Sequence, residues 1–353
     1  MISHKTVAYK GSKKKLLKNI YKYVEEIDAK TFFDGFSGSG IVSSFMREKG
    51  LVVLANDLNF SSYIFGKVFL QGFDENIVSS HIEKMNSLQP TRGWLTENYS
   101  GTKYREAKRS DTVSGEYPLA FTKENAMKID AARDYVESLS ISKRNKNALI
   151  FSCILASNEV INNTADQKSS FKKWLPKALK DVHFKMPTRI NGPEGIQISG
   201  NIMEMPKEEF DVVYLDPPYS NSVLYSSCYH INDSVAIWDK PNLNYDYALP
   251  RPERAVFLKG ENNNKTGGHF YSSKSIKDDF SKLFEIFSSS KRIIVSYSDA
   301  PKNLISIEDL VSLANQYGSV KVEDKEHRIC TQFKKQNKQI EKLKEYFIVV
   351  DTK

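Results

Sequence analysis

The sequence predicts an α/β fold: a mostly parallel sheet of seven strands, helices on its faces, a terminal antiparallel hairpin, and a mainly helical lobe inserted mid-chain. Three observations predict it. Short apolar runs of strand length alternate with helical periodicity at both ends of the chain, which is the pattern of parallel strands joined by crossover helices. Between about 75 and 190 the strand-like runs stop and helical stretches replace them. The last two strand-like runs have no clear helix between them, which allows a hairpin.

In chain order, Leu16, Leu17, Ile20, Val24 and Ile27 share one face of a helix expected over 13–27, with lysines opposite. Thr31-Phe32-Phe33 is a short strand running into the turn Asp34-Gly35-Phe36-Ser37-Gly38-Ser39-Gly40. A helix through Val42, Phe45 and Met46 is stopped by Gly50. Strand two is Leu51 to Ala55, ending in Asn56-Asp57; strands three and four are Ile196-Gln197-Ile198 and Val212 to Leu215. Ile276, Phe280, Leu283, Phe284 and Phe287 mark a helix before strand five, Ile293-Ile294-Val295. A helix over 306–316, a strand at 320–322 and a last strand at 346–350 complete the pattern. Within the insertion, helices are expected near 123–138 and 143–161. The expected units are therefore a sheet domain of 1–74 with 191–353, and a lobe of 75–190. A second irregular segment, 239–270, holds Pro241, Pro250, Pro252, Gly260, Gly267 and Gly268 and reads as a long mobile loop.

The chain has 353 residues, enough for a substantial core, and a hydrophobic fraction of 40% suits a folded soluble protein. Cys153, Cys228 and Cys330 are scattered and form no Cys-x-x-Cys pair, which argues against a disulfide framework or cysteine zinc site. No His/Cys/Asp cluster has metal-ligand spacing, so no metal is expected. The start, Met1-Ile2-Ser3-His4-Lys5, lacks the apolar core of a signal peptide, and no run is long enough to span a bilayer. A cytoplasmic location without membrane contact is expected. The net charge of +8 is uneven: residues 92–192 hold 18 Lys+Arg against 11 Asp+Glu, and the remainder is near neutral. A basic insertion in a neutral frame suits either a polyanion partner or a solvated surface.

Asp216-Pro217-Pro218-Tyr219, directly after strand four, is the most informative segment. An exocyclic aromatic amine is a poor nucleophile because its lone pair is delocalised into the ring. A carboxylate and a backbone carbonyl, both accepting from that NH2, draw the nitrogen toward tetrahedral geometry and localise the lone pair. Pro217 and Pro218 fix φ and expose the Pro217 carbonyl, while Tyr219 offers a face for a base. The glycines of the 34–40 turn allow close backbone approach by a ligand at the end of strand one. Their spacing is neither Gly-x-Gly-x-x-Gly nor that of a P-loop. Asp57 is placed to accept from two ribose hydroxyls, or to cap a helix. Together these favour an adenosine-bearing ligand. Arg92, Arg105 and Arg109 lie among Trp94, Tyr99 and Tyr104, and Lys168, Lys172 and Lys173 surround Phe171, an interleaving that suits phosphate contact and stacking. His230 reads more readily as a packed or surface histidine than as a functional one.

In the order of these motifs the chain resembles the Dam-type, alpha-group adenine-N6 DNA methyltransferases, which use S-adenosylmethionine (AdoMet). Tyr9-Lys10-Gly11-Ser12-Lys13, the Asp34–Gly40 turn, a target-recognition insertion and the Asp216–Tyr219 motif follow one another as in that family. The resemblance covers roughly 1–70 and 190–300, and implies the Rossmann-like AdoMet-methyltransferase sheet. It implies that Tyr9 packs beside the cofactor and that Lys13 contacts its carboxylate end or a neighbouring acid. Asp34, Phe36, Ser37, Gly38 and Gly40 would line the methionine part, with Asp57 at the ribose and Asn201 and Ile202 at the adenine. Asn201 stands where many relatives carry Asp. Asp216 and the Pro217 carbonyl would polarise the amine of an adenine flipped out of duplex DNA, with Tyr219 stacked on it. The 75–190 lobe and the 239–270 loop would grip DNA. A partner endonuclease acting on the same site is expected, in a prokaryote or phage and near the nucleoid. The same chemistry on cytosine N4, RNA adenine or a glutamine amide, or a lapsed nucleic-acid-binding protein, are the rival readings.

Overall fold

The computed structural model describes residues 4–100, 120–163, 167, 173–218, 228–241, 269–270, 272–299, 303–328 and 342–353. Seven strands form one sheet in the order β3-β2-β1-β4-β5-β7-β6. They are β1 (Thr31–Asp34), β2 (Val52–Asp57), β3 (Ile196–Ser199), β4 (Val212–Leu215), β5 (Arg292–Ser298), β6 (Gly318–Arg328) and β7 (Lys342–Thr352). The pairs of β1 with β2, β1 with β4, β2 with β3 and β4 with β5 are parallel. β7 runs antiparallel to both β5 and β6, so it is the reversed strand of the sheet.

Strand side chains alternate between two apolar layers, as the pleat requires. Phe32, Val212, Tyr214, Ile294, Phe347 and Val349 face α1 (Leu17–Glu25) and α2 (Ile41–Glu48). Their immediate neighbours Phe33, Val213, Leu215, Ile293, Val295, Ile348 and Val350 face the opposite layer, built from Ile276, Phe280, Leu283, Phe284 and Leu310. Burial on both sides explains why these strands read as continuous apolar runs.

α3 (Phe60–Gln71) has Ile64, Phe65, Val68, Phe69 and Leu70 all buried. It lies between the sheet and four further helices, α4 (Glu75–Ser87), α5 (Trp94–Tyr99), α6 (Lys123–Ser138) and α7 (Lys143–Val160). Local caps fix where three of these start: Asp74, Thr122 and Ser142 each accept from the amide three residues on. The apolar core of this helical segment runs without a break through Ile64, Phe65, Val68 and Phe69 of α3 into Ile231, Val235 and Ala236 of α8 (His230–Ile237). Arg133, fully buried on α6, donates to the carbonyl oxygens of Val235 and Ala236 and so satisfies the end of α8.

The structure corrects several boundaries. The N-terminal helix expected from Lys13 begins as a 3-10 turn, Lys13–Lys15, and becomes α-helical at Leu17. Lys13 is 5% exposed and does not lie on a solvated lysine face. β6 and β7 each have 11 residues, longer than expected, because charged residues continue the ladder past the apolar stretch. The remaining two helices, α9 (Ile276–Ile286) and α10 (Ile307–Ala314), fall within the expected windows.

Candidate active site

The strand order reverses between β1 and β4, and in open α/β sheets the crevice beyond the carboxyl ends at such a point is where ligands bind. Two carboxylates stand there. Asp34 is the last residue of β1 and pairs in register with Tyr214 of β4; Asp216 follows two residues later. Asp34 keeps the parity of Phe32, and Asp216 that of Val212 and Tyr214, so both extend the α1/α2 face of the sheet upward. Ser296 on β5 and Glu345 on β7 continue the same face, after Ile294 and before Phe347.

Asp34 is 1% exposed. Its Oδ2 accepts from the Ser43 hydroxyl at 2.5 Å, while Oδ1 is buried without a hydrogen-bond partner among the described residues. Burial pushes its pKa up to about 7; the Ser43 hydroxyl opposes this and the charges of Asp216 and Asp57 add to it. An unpaired buried carboxylate oxygen costs free energy unless something fills it, and an ammonium group is the fitting complement.

Beyond Asp34 the chain folds over in a glycine turn. Gly38 and Gly40 have φ of 50° and 72°, where other residues are strained. A Cβ on Gly38 would lie 2.9 Å from Cε1 of Tyr9, so the Tyr9 ring lies directly on the turn. Tyr229 stacks on Tyr9 at 4.2 Å, and its hydroxyl accepts from the Lys10 amide at 2.7 Å. Asp57 holds the turn from beneath: Oδ2 accepts from the Gly38 amide at 2.7 Å and Oδ1 from the Asn59 amide at 2.8 Å. Burial raises its pKa to about 6, against those two amides.

Asp216 keeps 19% of its side chain toward the cleft. Lys13 Nζ lies 3.0 Å from its Oδ2, 3.1 Å from Oε1 of Glu345 and 3.3 Å from the Gly11 carbonyl oxygen. Glu345 is 1% exposed and its Oε1 also accepts from the Ser296 hydroxyl at 2.5 Å. Burial raises the Asp216 pKa to about 6; Lys13 pulls it down and Glu345 pushes it up. The arrangement presents a hydrogen-bond-accepting carboxylate at the mouth of the cleft, next to a buried anionic pocket bounded by a glycine turn.

A family model, the D12 class N6 adenine-specific DNA methyltransferases, matches residues 9–280. The chain belongs to this family. Among curated relatives, the type II methyltransferase M.CviAII of Paramecium bursaria Chlorella virus 1 is 27% identical over 91% of this chain and 92% of its own length. The type II methyltransferase M.NlaIII of Neisseria lactamica is 26% identical over 65% of this chain and 69% of its own. The modification methylase LlaI of Lactococcus lactis subsp. lactis is 27% identical over 91% of this chain, which spans 51% of that protein's length. Solved structures align loosely: magnesium protoporphyrin IX methyltransferase of Synechocystis PCC 6803, with bound SAH, covers 96% of this chain at 9% identity and a TM-score of 0.34.

In this D12-class chain the expected cofactor residues do not all take the same position. Tyr9, Asp34, Ser37, Gly38, Gly40 and Asp57 gather around the turn at the ends of β1 and β2. Phe36 is half-buried and meets Phe270 edge-on at 5.6 Å. Asn201 begins the 3-10 turn Ile202–Glu204, its Oδ1 accepting from the Met203 amide and its Nδ2 donating to Glu204. Ile202 is 4% exposed and packs behind Gly35. Pro217 and Pro218 follow β4 without regular secondary structure. Tyr219, Arg105, Arg109, Lys168 and Lys172, and positions 242–268 of the long loop, lie outside the described residues. Arg92 and Lys173 are exposed. His230 is buried, with Nδ1 3.2 Å from the Tyr99 hydroxyl and Nε2 3.1 Å from the Gln167 carbonyl oxygen, so it is a packed histidine. Among the described residues no group of three or more His, Cys, Asp or Glu could hold a metal, and no helix is long and apolar enough to cross a membrane.

Sequence reasoning missed three neighbours of the site. Tyr229 supports Tyr9, Leu58 stands 75% exposed beside Asp57, and Glu345 pairs with Lys13. Only Glu345 had a usable signal: it shares the parity of Phe347 and Val349, one step before the apolar run.

Proposed function

We propose that this protein transfers the methyl group of AdoMet to the N6 amino group of an adenine extruded from duplex DNA. The observation that carries the reading is the Asp216 carboxylate, fixed by Lys13 and open to the cleft, beside the buried Asp34. AdoMet, when bound, supplies an electrophilic methyl on a sulfonium sulfur. Asp34 Oδ1 would accept from the ammonium of its methionine part, and the buried Asp34 oxygen is the feature that fits that group. Asp57 has a second lone pair on each oxygen for ribose hydroxyls while keeping the turn anchored. Leu58, Asn201 and Ile202 would line the adenine side. Asp216 and the Pro217 carbonyl would accept hydrogen bonds from the two N6–H groups, localising the nitrogen lone pair for in-line attack. The new N–C bond takes the lone pair, the C–S electrons return to sulfur, and one N6 proton departs by way of Asp216.

DNA is held by the lobe of 75–190 with the loop of 239–270; of the residues proposed for phosphate contact, Arg92 and Lys173 are among the described residues and both are exposed. Relatives described as modification methylases and type II methyltransferases support a role beside a cognate restriction endonuclease.

The test is transfer of labelled methyl to duplex DNA, followed by digestion to nucleosides. N6-methyldeoxyadenosine from the wild type, absent with Asp216→Ala, is the expected result. Cofactor binding without transfer to any duplex would redirect the reading to an RNA or protein amine.

A further inference from the structure

We propose that Glu345, on the far strand β7, is a positioning residue for Asp216 that acts through Lys13, sharing its ammonium so that Asp216 stays an open acceptor for the substrate amine. The proposal rests on the methyl-transfer reading for its consequence, and on the geometry alone for its existence.

Lys13 Nζ donates to the Gly11 carbonyl oxygen and forms ion pairs with both Asp216 and Glu345. The ammonium is therefore shared and does not follow a single carboxylate. It binds Asp216 through Oδ2 and leaves Oδ1 as the oxygen to meet an incoming amine. One buried and one half-buried carboxylate around one buried cation leave a surplus negative charge, an expensive arrangement that simple packing does not require. A lysine paired with Asp216 alone would neutralise it and draw electron density from the acceptor. With Glu345 competing, the cation orients Asp216 without saturating it. The Ser296 hydroxyl donates to Glu345 Oε1 and holds it aimed at Lys13. The groups that face Asp216 are Lys13 from before α1, Glu345 from β7, Asp34 from β1 and the Tyr214 phenol from β4.

The deciding experiment is the carboxyl titration of Asp216 in cofactor-free protein, followed by NMR and assigned by its loss in Asp216→Asn. Glu345→Gln removes the competing charge, so the Asp216 titration moves to lower pH. Lys13→Met leaves two carboxylates without their cation, so it moves to higher pH. In methyl transfer the acid limb of kcat follows the same two directions. For Glu345→Gln, kcat falls on the order of 10²-fold with the KM for AdoMet unchanged. Glu345→Asp, which keeps the charge but withdraws it, moves the titration downward by less and serves should the amide variant not fold. If Glu345→Gln only lowers the melting temperature and the titration stays where it was, Glu345 merely offsets the burial of Lys13 and the proposal is wrong. An inactive wild type would count against the methyl-transfer reading, while the titration would still decide the role of Glu345.

Discussion

Asp34 offers the sharpest test of how the cofactor is held. Its pKa of about 7 means that near neutrality roughly half of the free protein carries a proton there. An ammonium docked on Oδ1 requires the ionised form, so binding must expel that proton below neutrality. Affinity for AdoMet then rises with pH up to about 7, and falls again near pH 8, where an α-amino group loses its own proton. Between about pH 7.5 and about pH 5.5 the dissociation constant should weaken by about 25-fold, approaching tenfold per unit at the acid end. Asp34→Asn keeps an oxygen for the Ser43 hydroxyl but has no charge to titrate. It should bind more weakly at about pH 7.5, by roughly 10- to 100-fold for a lost charged hydrogen bond, and its dependence on pH should flatten. Isothermal calorimetry across this range, in buffers of different ionisation heat, reads both the affinity and the proton released. A flat wild-type profile, or an equal slope in Asp34→Asn, would refute the pairing of Asp34 with the ammonium.

The same substitution has a stability signature of opposite sign. Because the folded pKa lies above the ordinary 3.8, the folded state holds the proton more tightly, and stability is lost as pH rises from there through about 7. Thermal unfolding of cofactor-free Asp34→Asn should therefore show a gain above about pH 7, up to about 4 kcal/mol, that vanishes below about pH 4. Gly38→Ala places a methyl against Tyr9 at a φ of 50°; it should cost about 1–2 kcal/mol in denaturant melts and abolish measurable AdoMet binding. Arg133→Met leaves the carbonyl oxygens of Val235 and Ala236 without their donor in the core. Urea unfolding should show a loss of about 3 kcal/mol, and a variant as stable as wild type would mean that water replaces the guanidinium.

The parts of the fold legible in the sequence were those where local chemistry and burial agree. β1, β2, β4 and β5 are buried on both faces and so appear as unbroken apolar runs. α6 and α7 fall in their expected windows, and Thr122 and Ser142 cap their starts in the structure. α3 gave no such signal, because Phe65, Val68, Phe69 and Leu70 wrap it in apolar side chains and leave no polar stripe to set a period. In the site, Asp34, Gly38, Gly40 and Asp216 were visible because each sits next to its strand and the strand dictates its placement. Lys13 beside an acid was expected only through the family resemblance, and Glu345 was not expected, since an acid at a strand end looks solvated. Only the sheet order, which puts β7 beside β5, brings them to Asp216. Tyr229 was hidden for a similar reason: its partner Tyr9 lies at the other end of the sequence.

The pairing of Lys13 with Glu345 ties the time of synthesis to the time of competence. Synthesis delivers the glycine turn, then Asp216, and later the strand that carries Glu345. Until β7 inserts between β5 and β6, Lys13 has one carboxylate where the finished protein has two. A nascent or prematurely terminated chain could thus assemble the nucleotide cradle while its acceptor carboxylate stays locked to the lysine. Such a chain would occupy cofactor without modifying a base. β7 thereby makes the readiness of the reacting carboxylate depend, through charge, on the closing of the sheet.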